Sequence, residues 1–128
     1  MPYSVPQGAF TQDAINALLA NPLDANHQIA VNGAIDPTTP GRYVITKAGV
    51  AALTLAAPVA GRDDGLEIYL GSTTANAHTI TCPAGTFQAG VANNTVATFP
   101  AQPGAGLFLM AFNGKWIVTG IVGAVAFT

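Results

Sequence analysis

Charge is what this sequence has least of. Lys and Arg together number 4 and Asp and Glu 6, so 8% of the chain is charged, against about 25% in an ordinary globular protein. Four basic side chains neutralise too few phosphates for a nucleic-acid partner. A single cysteine, Cys82, allows no internal disulfide and no metal knuckle, and such a lone thiol fits a reducing cytosol. Residues 2–24 lack the basic start and unbroken apolar run of a signal peptide, because Pro6, Asp13, Asn16, Asn21 and Pro22 interrupt them. The apolar stretch Trp116–Phe127 contains Thr119, Gly120 and Gly123 and falls short of the ~18 residues a membrane span needs. The expectation is one soluble chain with no membrane partner.

What is present is apolar. Half of the sequence, 50%, is hydrophobic, and the mean hydropathy of +0.41 with a net charge of -2 excludes disorder. A folded monomer of this mass exposes roughly 6,000 Å², which leaves about one charge per 600 Å². That is far sparser than the charge that keeps small domains apart, so much of the surface is expected to be covered by copies of the chain or by a partner.

Composition shifts near residue 40. Residues 1–40 form an arm and linker with one expected helix, Thr11–Ala20, which Thr11 caps and Asn21-Pro22 ends. Its stripe of Ile15, Leu18 and Leu19 is too narrow to stand alone and must dock. The prolines of Asp36-Pro-Thr-Thr-Pro-Gly41 then block both helix and central strand.

Residues 41–128 are expected to be an all-β body, a β-sandwich of jelly-roll type. Eight strands are predicted: 42–46, 52–56, 66–70, 78–82, 96–99, 107–112, 115–119 and 123–127. Asn113-Gly114 is a strong two-residue hairpin signal, because a type I′ turn needs positive φ at both positions. Strand 107–112 is apolar on both faces, which predicts burial on both sides. Between Glu67 and Lys115 there is no charged residue, so the sheet edges need another cover, and subunit contact is the expected one.

Chemistry-bearing patterns are weak throughout. His78 and Cys82 share a face of a strand but sit roughly 13 Å apart, too far to hold one metal ion, and core packing is the better account. Asp63, Asp64 and Glu67 do not match a calcium loop and suit a polar turn. Ser4 and Ser72 lack a nucleophile-elbow setting, and Gly104-Ala-Gly106 lacks the third glycine of a dinucleotide loop. No catalytic, cofactor or metal site is expected. Trp116, Tyr43, Tyr69, Phe108 and Phe112 together offer a sugar-stacking platform, with core or subunit packing favoured for Trp116.

Three segments carry a resemblance: the run from Gly41 to Gly65, Ser72-Thr-Thr-Ala-Asn-Ala-His-Thr-Ile-Thr81, and Ala111-Phe-Asn-Gly-Lys-Trp116. They resemble small head decoration (cement) proteins of tailed bacteriophages. The resemblance covers residues 41–119 and implies a non-enzymatic virion protein on the capsid exterior, a homotrimer that binds the major capsid protein and stabilises the head after synthesis in the bacterial cytoplasm. The alternative is a carbohydrate- or receptor-binding domain of a phage fibre or spike. The arm residues Tyr3, Val5, Phe10, Ile15, Leu18 and Leu19 are expected to bind a partner, and Trp116, Val118, Ile121, Val125 and Phe127 to form the subunit interface.

Overall fold

The computed structural model describes residues 27–36, 41–90 and 93–128, which are almost wholly strand and turn. The helix expected over Thr11–Ala20 and the six arm residues named above lie outside the described residues. Seven strands make one sheet, in spatial order β1 (Gln28–Ile29), β3 (Gly41–Ile45), β5 (Glu67–Ser72), β10 (Gly106–Phe112), β11 (Lys115–Val122), β7 (Phe87–Gln88) and β8 (Asn93–Asn94). The second sheet has five, in the order β12 (Ala126–Phe127), β9 (Val96–Thr98), β6 (Thr79–Thr81), β4 (Ala52–Leu55) and β2 (Gly33–Ile35).

Alternation decides which side chains the sheets turn towards each other. Tyr43 and Ile45 on β3, Ile68 and Leu70 on β5, and Leu107, Leu109 and Ala111 on β10 point inward. They meet Leu53 and Leu55 of β4, Ile80 of β6 and Ala97 of β9 in one sandwich-like core. The outer face of the five-stranded sheet carries no charge: its exposed or half-buried residues are Ala34, Ala52, Thr54, Thr79, Thr81, Val96, Thr98 and Ala126.

The pairing differs from the expected jelly roll, which is wound from antiparallel Greek keys. Here β1, β3 and β5 are parallel neighbours in one sheet, and β2, β4 and β6 are parallel neighbours in the other. The chain crosses between sheets at each step, so its first six strands stack as three turns of a coil. Antiparallel strands β10, β9 and β12 then close the two sheets. The expected boundary at residue 40 also moves. Strands β1 and β2 pair with β3 and β4, so residues 28–35 belong to the sandwich and not to an arm.

The expected hairpin is present. β10 and β11 pair from Gly106↔Val122 to Phe112↔Lys115, around Asn113 at φ 50° and Gly114 at φ 78°. A β-branched side chain at Gly114 is strained there, so Gly114→Val should lower stability by about 1–2 kcal/mol or more, read as a fall in the urea midpoint. Burial on both faces of β10 is not observed. Leu107 and Leu109 are sealed inside, but Phe108 is 42% and Phe112 58% exposed, because no element of the described chain packs over that face.

Candidate functional site

The outer face of the seven-stranded sheet carries an aromatic pair. Tyr69 and Phe108 are cross-strand partners on β5 and β10, with ring centroids 4.4 Å apart and planes tilted by 33°. Glycine makes this arrangement possible. A Cβ at Gly71 or Gly106, themselves cross-strand partners, would come within 2.9 Å of the Tyr69 side chain, and one at Gly120 within 3.2 Å of Phe108. The two rings therefore lie down on bare backbone instead of standing off the sheet.

Beside the pair runs an open trench of about 510 Å³, across the strands. Arg42, Tyr69 and Phe108 line it in one cross-strand row, and Glu67 stands one step further along β5. Thr119 also lines it, displaced by a bulge in β11 opposite Phe108 and Leu109, with its hydroxyl donating to the Phe108 carbonyl at 3.3 Å. Of the five aromatics that sequence pointed to as a platform, Tyr69, Phe108 and Phe112 share this face. Tyr43 and Trp116 point into the core.

The bulged strand presents a second feature. β7 pairs only with Trp116 and Ile117, so beyond them the flank of β11 away from β10 has no strand neighbour among the described residues. This free edge, Val118–Val122, contains no charge and no proline, and Ile121 and Val122 are 46% and 47% exposed. Of the residues expected at the subunit interface, only Ile121 is displayed in this way. Trp116 is fully buried in the chain's own core, where its indole N–H donates to the Ala56 carbonyl at 3.0 Å. Val125 is buried too, Val118 packs against the core, and Phe127 meets Phe87 edge-on at 5.7 Å.

The remaining chemistry-bearing residues hold the fold together. Asp63 is buried and accepts the Val59 N–H at 2.7 Å. The Arg62 guanidinium bonded to it, followed by that N–H, holds its carboxyl below the usual range. Asp64 accepts the Asn113 N–H at 2.8 Å, tying the acidic turn to the β10–β11 hairpin. Burial pushes the Cys82 thiol up to about 12, which leaves it protonated and unreactive. Among the described residues no group of three or more His, Cys, Asp or Glu side chains is placed to hold a metal ion. No helix among them is long and apolar enough to cross a membrane.

His78 is fully buried, and its Nδ1 accepts the Ala51 N–H at 3.0 Å. That bond requires an unprotonated Nδ1, so Nε2 carries the proton and donates it to Thr74 Oγ1, 2.9 Å away. Burial, aided by the Lys47 ammonium, lowers the imidazole below its ordinary value of 6.5. Because the fold favours the neutral ring, His78 supports stability in full above about pH 6.5 and loses that support as pH falls through the depressed value. Urea midpoints measured from pH 8 to 5 should therefore fall more steeply for the wild-type chain than for His78→Gln. Parallel curves would show that the ring's charge is not felt.

No protein-family model and no curated protein sequence matches the chain.

Proposed function

We propose that this chain is a structural protein of a tailed-bacteriophage virion. In this reading it is a decoration (cement) protein that binds the outside of the head as a homo-oligomer and stabilises it without catalysing a reaction. The observation that carries this reading is the charge-free edge Val118–Val122. Edge strands normally carry lysine, proline or a covering loop, because their free N–H and C=O groups pair with any strand that arrives. Among the described residues this edge has only the bulge at Thr119, and it offers Ile121 and Val122 beside a flank of backbone that no described strand pairs. Pairing with a second copy would satisfy the backbone and cover both side chains in one step.

The resemblance in residues 41–119 supplies the setting and an expected count of three subunits. The uncharged Ala/Thr face of the five-stranded sheet and the apolar arm residues are then the surfaces that meet the major capsid protein. Many weak contacts per subunit, multiplied by the oligomer, give the grip such a protein needs. Quantitative mass spectrometry of virions from a phage carrying this sequence should find it in high copy relative to the major capsid protein. Adding the purified chain to heads stripped of it should raise their melting temperature. A chain absent from virions, or present in only a few copies, overturns the reading.

A further inference from the structure

We propose that the trench on the outer face of the seven-stranded sheet is a binding site for an uncharged saccharide. This inference needs neither pairing at the β11 edge, whose Thr119 and Gly120 border the trench, nor a place in a virion.

The first support is what the other charged side chains do. Lys47 donates to the Val50 carbonyl, Lys115 to that of Gly85, Arg62 grips Asp63, and Asp63 and Asp64 hold backbone N–H groups. Asp36 is engaged as well. Arg42 and Glu67 differ. Neither side chain forms a hydrogen bond or ion pair with a described residue, nor does the Tyr69 hydroxyl, and all three line the same trench. A chain with ten charged residues has thus placed its two unpartnered described ones beside an aromatic pair, Arg42 across from Tyr69 and Glu67 two residues along the same strand.

The second support is preorganisation. Three glycines, on β5, β10 and β11, keep Tyr69 and Phe108 flat against the sheet, although glycine weakens a strand interior. Laid flat, the rings form a low wall of fixed orientation beside a floor of backbone.

The ligand chemistry follows from these parts. Aromatic rings take the C–H face of a pyranose. A planar guanidinium donates to neighbouring hydroxyls and a carboxylate accepts from them. Glu67 lies about 7 Å along β5 from Tyr69, near enough for its carboxylate to accept from a hydroxyl of a sugar stacked on the aromatic pair. The trench is neutral in sum, so an anion would meet Glu67 and a cation Arg42, while a purely apolar ligand would bury both charges unsatisfied. An uncharged polyhydroxylated ligand satisfies every group, and the volume falls within the range of small-ligand sites.

The full-length protein would be screened on a glycan array. It would then be titrated with lactose, maltose, cellobiose and diacetylchitobiose at millimolar concentration by ligand-observed NMR. At least one neutral glycan should bind. Phe108→Ala should weaken it by about tenfold, the effect of losing one stacked ring. Arg42→Gln and Glu67→Gln, both at exposed positions, should each weaken it several-fold with the circular dichroism unchanged, and Phe112→Ala should leave it intact. Ile121→Lys, which disables the β11 edge, should leave binding per chain unchanged, so failure of the oligomer reading and failure of this one give different results. The proposal is overturned if no glycan binds, if only anionic glycans bind, or if binding survives both Phe108→Ala and Arg42→Gln. It is also overturned if Phe108→Ala dissociates the oligomer, because the trench then belongs to the subunit contact.

Discussion

Replacing Trp116 by Ala is expected to lower stability by about 3–5 kcal/mol, a large share of the roughly 5–15 kcal/mol that holds a domain folded. The indole is the largest of the fully buried side chains, and its loss leaves both a cavity and a buried Ala56 carbonyl without its donor. The two effects separate experimentally. Trp116→Phe keeps most of the volume and strands only the carbonyl, at a cost of about 1–3 kcal/mol. Both variants should be compared with the wild type by urea unfolding at one protein concentration, since oligomer formation would add a concentration-dependent term. A Trp116→Ala chain that unfolds at the wild-type midpoint would show that the indole is not in the core.

Ile121→Lys is expected to turn the proposed oligomer into monomers while leaving the single chain folded. The side chain is 46% exposed in the monomer, so lysine there costs the fold little. In a paired edge the same ammonium would be buried without a partner, a penalty of several kcal/mol that weakens association by about a hundredfold or more. Sedimentation velocity at micromolar concentration reads the change directly. A wild-type chain that is already monomeric, or a variant that associates as well as the wild type, removes the edge from the subunit contact.

Local patterns in the sequence were legible where one physical rule governs them. Alternation placed Tyr43, Ile45, Leu53, Ile68, Leu70 and Leu107 in strands, and each of the eight predicted strands overlaps an observed one, the last of them only at Ala126–Phe127. Asn113-Gly114 declared its turn because few other residue pairs accept positive φ twice. Pairing was not legible, because alternation says which face a strand buries and not which neighbour it takes. The strands β1, β2, β7 and β8 are two or three residues long, too short for a period to register. They owe their conformation to the neighbours they join.

The candidate site was legible only in part. Tyr69, Phe108 and Phe112 stand out in sequence together with Tyr43 and Trp116, and residue type alone does not separate outward rings from inward ones. The separating signal was the glycines. Gly71, Gly106 and Gly120 lie two residues from Tyr69, two from Phe108 and within the partner strand, and a ring beside such gaps in a strand can lie flat. An apolar C-terminal strand suggests a subunit contact for Trp116, but its cross-strand partner Ala111 faces the core, and Trp116 shares that face. Glu67 reads in sequence as one of an acidic turn with Asp63 and Asp64, although it opens β5, and nothing marks Arg42, since a charge looks the same whether it holds a turn or waits for a ligand.

The coil formed by the first six strands has a consequence for how the molecule is made. Its turns bring together strands separated by intervening segments of the chain, and β5 and β6 each wait for a second neighbour: β6 for β9, which follows soon after at Val96, and β5 for β10, which begins only at Gly106. A nascent chain that has released β9 but not β10 can wind its three turns and cover β6, yet β5 still ends its sheet in an exposed row of unpaired backbone. Such pairing over long sequence distances is slow, and the interval is the one in which a partly finished chain is most exposed to aggregation. The β10–β11 hairpin, the most local element in the fold, ends that interval for β5. Its two-residue turn lets it form within microseconds and add to β5 as a preassembled pair, so the last third of the chain acts as a latch on the sheet begun by the first.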